Sequence, residues 1–148
     1  MDIKTKLSDS VKDAMRTNDE VRKRTLRMTL AAIKQVEVDK RVVLDDMAVI
    51  ALIQKEIKNR REALDEAKKA NRPDLAEANE AEIKVLEVFL PQAMPAEELR
   101  VVVQAAIAET GASQPSDMGK VMKVVMGKVA GRAPNDMISQ MVRELLQK

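Results

Sequence analysis

The stretch "QKEIKNRREALDEAKKANRPDLAEANEAEIKVLEVFLPQAMP", from Gln54 to Pro95, decides the fold predicted for this chain. Its apolar residues recur at the three- and four-residue spacings that are typical of a helix packed on one side. The segment "ANRPD" interrupts this period, and Pro73 suits the first turn of a new helix. Pro91 and Pro95 then end the helical pattern. The stretch therefore predicts two successive helices followed by a boundary between subdomains.

The helical period continues on both sides of this stretch, and no strand-like alternation of any length interrupts it. Thr17 and Glu20 fit a capping box at the start of the second helix. Gly111 and Gly131 lie where glycines commonly end helices. The predicted fold is all-α and multihelical, with four helices in a subdomain of residues 1–92 and three short helices in a subdomain of residues 93–148. The expected helices span about 3–15, 19–38, 45–70, 73–90, 95–110, 116–129 and 134–147.

The composition of the chain excludes several kinds of chemistry. Its 148 residues include no His and no Cys, so a Ser–His–Asp or Cys–His arrangement cannot be built. The carboxylates are spread along charged helices without the spacing of a metal loop. We therefore expect no catalytic residue, no metal site and no cofactor. The N-terminus lacks the apolar core of a signal peptide and no apolar run approaches a membrane span, which together favour a cytoplasmic protein without membrane contact.

Charged residues on the apolar faces of helices are the next informative feature. Arg60 shares a helix side with Ile53 and Ile57, and Glu82 falls beside Leu86. Because a buried charge is costly unless it is paired, these positions predict an ion pair between helices, with Glu82 facing Arg60 or Arg22. Such a pair would fix the register of the helices.

The second helix carries a basic arc on its polar side. Residues 16–41 hold 8 bases and 4 acids, the most basic stretch of residues 1–90. The arc is either a solvated face or a surface for a partner, and the sequence leaves both interpretations open. Its members are Lys23, Arg24, Arg27 and Lys34.

The segment "GKVMKVVMGKVAGRAPND", from Gly119 to Asp136, contains three of the four glycines of the chain. Its spacing does not match a Walker A loop, because Lys128 is followed by Val129. We interpret it as a short helix whose core side carries Met118, Met122, Val125, Met126 and Val129, followed by a last helix with Met137 and Met141 on its core side. The bases that project elsewhere predict a locally positive surface, and they are Lys120, Lys123, Lys128 and Arg132.

Three stretches of the chain together resemble a known family. They are "TLRMTLAAIK" (Thr25–Lys34), the segment from Gln54 to Pro91, and "ETGASQPSDMGKVMKVVMGKVAGRA" (Glu109–Ala133). They resemble the YqeY-like proteins, free-standing relatives of the tail domain of the B subunit of glutamyl/aspartyl-tRNA amidotransferase. The resemblance implies two all-α subdomains and a surface that helps to hold tRNA. On the matched motif, Lys123 and Arg132 are the bases in the family positions, whereas Lys120 and Lys128 are added by helix geometry.

The resemblance leaves three functions to compare. The first is a non-catalytic module that binds tRNA by shape and by phosphate contacts. The second is a helical adaptor between proteins. The third is an accessory component of a carbon–nitrogen ligase that takes its amido nitrogen from glutamine, whose chemistry would belong to other subunits.

Overall fold

The computed structural model describes residues 2–147, and the expectation of an all-α fold is confirmed for them. Seven α-helices and one 3₁₀ helix (Pro115–Asp117) make up the secondary structure of this described part, which contains no strand. The helices are α1 (Ile3–Arg16), α2 (Glu20–Lys40), α3 (Asp46–Lys69), α4 (Pro73–Glu87), α5 (Ala96–Thr110), α6 (Met118–Val129) and α7 (Asn135–Leu146).

The chain divides into two compact units, one ending at Leu90 and the other beginning at Pro91. Each unit has its own apolar core. The division falls within two residues of the boundary expected from the two prolines. Whether the units fold as separate domains stays a prediction.

The first unit consists of two helical hairpins, in which α1 packs on α2 and α3 packs on α4. α2 also packs on α4, so it lies between elements of both hairpins. Leu7, Leu26, Ile53 and Leu86 are fully buried in the core of this unit. Truncating one such Leu to Ala costs about 2–5 kcal/mol in a well-packed core, so this core fixes α2 firmly.

The second unit is a bundle of α5, α6 and α7, each packed on the other two. Its core is small and dominated by branched residues, with Leu99, Val103, Val125 and Ile138 almost fully buried. The segment before α5 belongs to this unit, because the amide of Met94 donates a 2.8 Å hydrogen bond to the carbonyl of Arg132. This bond ties the start of the unit to the turn between α6 and α7.

The ends of the helices correct one expectation about local structure. Asp19, and not Thr17, caps α2, since its carboxylate accepts a hydrogen bond from the Arg22 amide while the Thr17 hydroxyl donates to the carbonyl of Asp13. Gly111 ends α5 in the left-handed region at φ 70°, as expected. Gly131 follows the end of α6 with a φ of 82°, also as expected, and the cap before it, Ala130, is left-handed as well, with a φ of 51°.

Candidate nucleic-acid interface

The outward face of α6 carries two of the four predicted bases. Lys120 and Lys123 are exposed, whereas Val121, Val125 and Val129 on the opposite side are buried in the core of the second unit. Neither lysine forms an ion pair with any residue in the range 2–147. The helix therefore directs two lysine side chains without an acidic partner toward solvent.

The other two predicted bases are held by partners within the second unit. Nζ of Lys128 lies 2.8 Å from Oε2 of Glu109 at the end of α5. Arg132 reaches Oε1 of Glu98 at 3.2 Å and donates from Nε to the carbonyl of Gln92 at 3.1 Å. Lys128 and Arg132 are therefore paired with acids of the same unit. Of the four predicted bases, Lys120 and Lys123 are the two without an acidic partner among residues 2–147.

Two glycines share the outward face with these lysines. Gly119 and Gly127 are exposed, and a Cβ added at either one would meet no atom within 4 Å. No internal packing requires a missing side chain at these positions, although glycine inside a helix costs roughly 1 kcal/mol relative to alanine. Because Gly119 and Gly127 lie four residues before and after Lys123, they form a glycine stripe that leaves the backbone of α6 open to close approach on either side of this lysine.

The methionines contribute less to the core of the second unit than the sequence predicts. Met118 and Met122 are partly buried beside the core, but Met126 is 36% exposed and Met137 is 45% exposed. The reason is helical geometry, because the valines at 121, 125 and 129 occupy the centre of the buried face and displace the methionines to its edge. The expected methionine face is thus a border of the core.

The buried charge predicted in the first unit lies between α3 and α4. Arg60 is 8% exposed, and its Nε lies 3.2 Å from Oε2 of Glu82. Its Nη1 lies 2.7 Å from Glu56 one turn earlier. The second oxygen of Glu82 is 3.6 Å from Arg24 of α2, so this cluster connects three helices.

Arg22, the alternative partner of Glu82, is placed elsewhere. Its Nη2 lies 2.7 Å from Asp13 of α1, and its Nε lies 3.5 Å from Asp19. Arg22 stands at the beginning of α2, directly after the turn from α1, so these nearer acids hold it and Arg24 takes the place beside Glu82. The guanidinium groups of Arg16 and Arg22 lower the pKa of the Asp13 carboxyl by hydrogen bonding.

Residues 2–147 hold no group of three or more carboxylates, Cys or His that could bind a metal ion. Over that range, no helix combines the length and the apolarity needed to cross a bilayer. A groove of about 390 Å³ lies between α3 and α4, but its lining alternates acids and bases, among them Arg61, Asp65, Lys84 and Glu87. The lysine- and glycine-bearing face of α6 is therefore the candidate site.

The described part of the chain consists of two all-α units. The chain belongs to the YqeY-like protein family, whose model matches residues 4–146. This membership confirms the resemblance drawn from the three sequence stretches.

Curated fungal proteins are similar to this chain. The Lachancea thermotolerans protein named "Altered inheritance of mitochondria protein 41, mitochondrial" is 34% identical over 78% of this chain. A protein of the same name from Pyrenophora tritici-repentis is 28% identical over 95% of this chain and 79% of its own length. An uncharacterized protein of Schizosaccharomyces pombe is 37% identical over 61% of this chain and 70% of its own length. The match spans 64% of the length of the Lachancea protein.

The names of these relatives correct the expected location. The Lachancea and Pyrenophora proteins are named as mitochondrial, so the expectation of a cytoplasmic protein is wrong. That expectation depended on the absence of a signal-peptide pattern and of a membrane span. Neither absence distinguishes the cytoplasm from the interior of an organelle.

Proposed function

We propose that this protein is a non-catalytic helical module that contacts tRNA through its phosphates, with the outward face of α6 as the contact surface. The observation that carries the proposal is the pair of exposed lysines, Lys120 and Lys123, which no described residue neutralises. Phosphate contacts supply most of the affinity in sequence-independent binding of nucleic acids. Lys123 also occupies the position that the family resemblance assigns to tRNA contact.

The glycine stripe supports contact with a large, rigid partner. With no side chain at Gly119 or Gly127, a ribose–phosphate backbone could approach the helix one turn before and one turn after Lys123. Recognition by shape needs no aromatic platform, and the chain contains one Phe and no Trp or Tyr. The composition thus agrees with phosphate contact better than with stacking on single strands.

Filter binding of labelled, unfractionated tRNA by the full-length chain tests this proposal. For the wild type we expect affinity that falls steeply as salt rises from about 50 to about 200 mM, because bound phosphates release counterions. The double variant Lys120→Gln/Lys123→Gln should make the negative slope of log affinity against log salt shallower, reducing its magnitude by about 1.5. Absence of tRNA binding by the wild type at low salt would refute the proposal.

The paired bases provide a control with the same change in net charge. Lys128→Gln/Arg132→Gln removes two positive charges whose ammonium and guanidinium groups already contact Glu109 and Glu98. We expect a smaller change in slope than for the lysine pair. Thermal unfolding of both variants shows whether either change has disturbed the fold, since Arg132 also holds Gln92.

The glycines give a second control that separates binding from stability. Gly119→Ala and Gly127→Ala should each stabilise α6 by up to roughly 1 kcal/mol, because alanine favours the helix and meets open space. If the stripe is a contact surface, the same changes weaken tRNA binding. Stabilised variants with unchanged affinity would remove the glycines from the proposed interface.

The protein adaptor remains the second candidate, because of an apolar patch in the first unit. Val38, Val42, Val43 and Met47 surround the connection between α2 and α3 and are between 42% and 84% exposed. Affinity purification after ribonuclease treatment, with Val42→Ser/Val43→Ser as the comparison, tests this candidate. A stoichiometric protein that is lost with the double substitution would favour the adaptor, and a catalytic partner recovered in this way would favour an accessory role in amidotransfer.

A further inference from the structure

A row of cations on α2 provides a second feature whose chemistry the proposed site does not use. Arg27, Lys34 and Arg41 follow one another at intervals of seven residues. Seven residues make nearly two turns of α-helix, so Arg27 and Lys34 project from the same side, and Arg41 follows one interval further along as the C-terminal cap of α2. The rise of about 1.5 Å per residue makes the row about 21 Å long.

The three cations are exposed and have no acidic partner among residues 2–147. Arg27 lies with Nη2 3.4 Å from the sulfur of Met15, a contact that leaves its charge unneutralised. In contrast, Arg22, Lys23 and Arg24 at the beginning of the same helix all form ion pairs. The row begins where these pairs end.

No acid lies on this side of α2 between Lys23 and Arg41. The positions between the three cations are filled by Ala31 and Val38. The acids of this half of the helix project to the flanks, where Glu37 binds Nζ of Lys4 at 2.8 Å and Asp39 accepts a 2.8 Å hydrogen bond from Gln35. The surface along the row is therefore positive over its whole length.

The opposite side of α2 makes the row rigid. Leu26 and Ile33 are buried in the core of the first unit, and Thr29 is buried between them. α2 packs on α1 and α4 through this side. The packed helix thus fixes the spacing of the backbone positions that carry the cations. A partner that fits this spacing does not have to order the helix when it binds.

We propose that this cationic row is a second surface for the sugar–phosphate backbone of RNA, in addition to the face of α6. A row of single charges about 10 Å apart fits a linear polyanion, since one strand of a duplex presents a phosphate roughly every 3 Å along the axis. Each cation can then contact roughly every third phosphate along one strand. This inference depends on the proposed function, because it takes RNA as the partner.

A lipid surface fits the row less well. Helices that lie in a membrane interface insert a broad apolar face rich in Trp, Phe or Leu. The apolar face of α2 is occupied by the protein core, and α2 has no aromatic residue. The exposed positions within the row offer only Ala31 and Val38 for insertion.

The test is salt-dependent filter binding of unfractionated tRNA by the full-length triple variant Arg27→Gln/Lys34→Gln/Arg41→Gln. Because each phosphate contact contributes about 0.7–0.9 to the magnitude of the slope of log affinity against log salt, we expect this magnitude to decrease by about 2. The single variant Lys34→Gln should show about a third of this change. Glutamine keeps the helix propensity of the exposed positions, and thermal unfolding verifies that the variants are folded.

A matched control removes the same net charge from the same unit. Arg16→Gln/Arg61→Gln/Arg72→Gln takes away three exposed guanidinium groups that are already paired with Asp13, Glu87 and Asp74. We expect a slope change well below that of the row variant. Equal slopes for the two triple variants, with tRNA binding intact, would overturn the inference and leave the proposed function standing.

Two further outcomes are decisive. If the wild type binds no tRNA at low salt, both the proposed function and this inference are refuted. If the row variant loses binding to vesicles that contain anionic phospholipid but retains the wild-type salt slope on tRNA, the row is a lipid contact and the inference is overturned.

Discussion

Arg60 is a charged side chain placed almost entirely inside the first unit. Its guanidinium contacts Glu56 and Glu82 at 2.7 and 3.2 Å, and within residues 2–147 Glu82 has Arg24 as its one further cation, at 3.6 Å. Removal of Arg60 would leave Glu82, whose side chain is 18% exposed, with one distant partner. A carboxylate in that position loses hydration without recovering it from a hydrogen-bond donor.

We therefore predict that Arg60→Met lowers the free energy of unfolding by about 2–3 kcal/mol, as measured by urea denaturation. Arg61→Met is the control, because the neighbouring Arg61 is exposed and its 3.0 Å pair with Glu87 contributes at most about 1 kcal/mol. The double variant Arg60→Met/Glu82→Leu should recover part of the loss by removing the stranded carboxylate. Equal costs at positions 60 and 61 would contradict a special role for the buried pair.

Single residues show where inference from sequence succeeds and where it fails. Arg60 could be located because a charge on an apolar helix side requires a partner, which limits the choices to a few acids. Arg22 could not, because its partner Asp13 lies on the preceding helix and depends on the turn between them. The ion pairs of Lys128 and Arg132 likewise join residues 19 and 34 positions apart, and periodicity does not show such contacts.

Helix ends were predicted within a few residues, because prolines, capping acids and glycines act locally. Pro73 stands at the first position of α4, and Gly111 ends α5, as the sequence indicates. The exception is α6, where Ala130 adopts φ 51° before Gly131. The sequence indicates the glycine, which does have a positive φ, but an alanine carries no local signal for the same conformation.

The left-handed alanine leads to a prediction at the level of this helix. A non-glycine residue in that region costs roughly 1–2 kcal/mol of stability. Glycine avoids this cost but loses more conformational entropy on folding, so only part of the cost is recovered. Ala130→Gly should therefore raise the free energy of unfolding of the second unit by about 0.5–1 kcal/mol. Thermal unfolding followed by circular dichroism measures the change. Lower stability in Ala130→Gly would show that the alanine is not strained, and the exposed Ala31→Gly in the middle of α2 should be destabilising by comparison.

The α2 row also shows what an element adds to a list of residues. Lys23, Arg24, Arg27 and Lys34 were recognised as a basic arc from the sequence, but Arg41 was assigned to the connection after the helix. α2 extends to Lys40 with Arg41 as its C-terminal cap, so the seven-residue spacing reaches a third unpaired cation. The row differs from the arc because Lys23 and Arg24 form ion pairs and therefore do not belong to the row of unpaired cations.

At the scale of the whole molecule, the two units have separate cores, and we expect these units to differ in stability. The second unit contains only the 58 residues from Pro91 onward, a size at which the buried fraction of surface is small and stability is marginal. The first unit is longer and adds the buried ion cluster around Arg60. We expect the second unit to be the less stable one.

Denaturation of the full-length chain should accordingly show two transitions. Val125→Ala should shift the earlier transition and Leu86→Ala the later one, because each removes a fully buried side chain from one core. Losses of about 2–4 kcal/mol are typical of such cavities. One transition that both substitutions shift equally would show that the units unfold together, contrary to the two-subdomain prediction.

The contacts of Arg132 determine where the gene could be divided to express the second unit alone. Its guanidinium holds the carbonyl of Gln92, and its own carbonyl accepts the amide of Met94. A fragment that begins at residue 93 would keep the second of these bonds and lose the first, whereas one that begins at Pro91 keeps both. The segment from Pro91 to Pro95 is thus better kept at the start of the downstream fragment than discarded as a spacer.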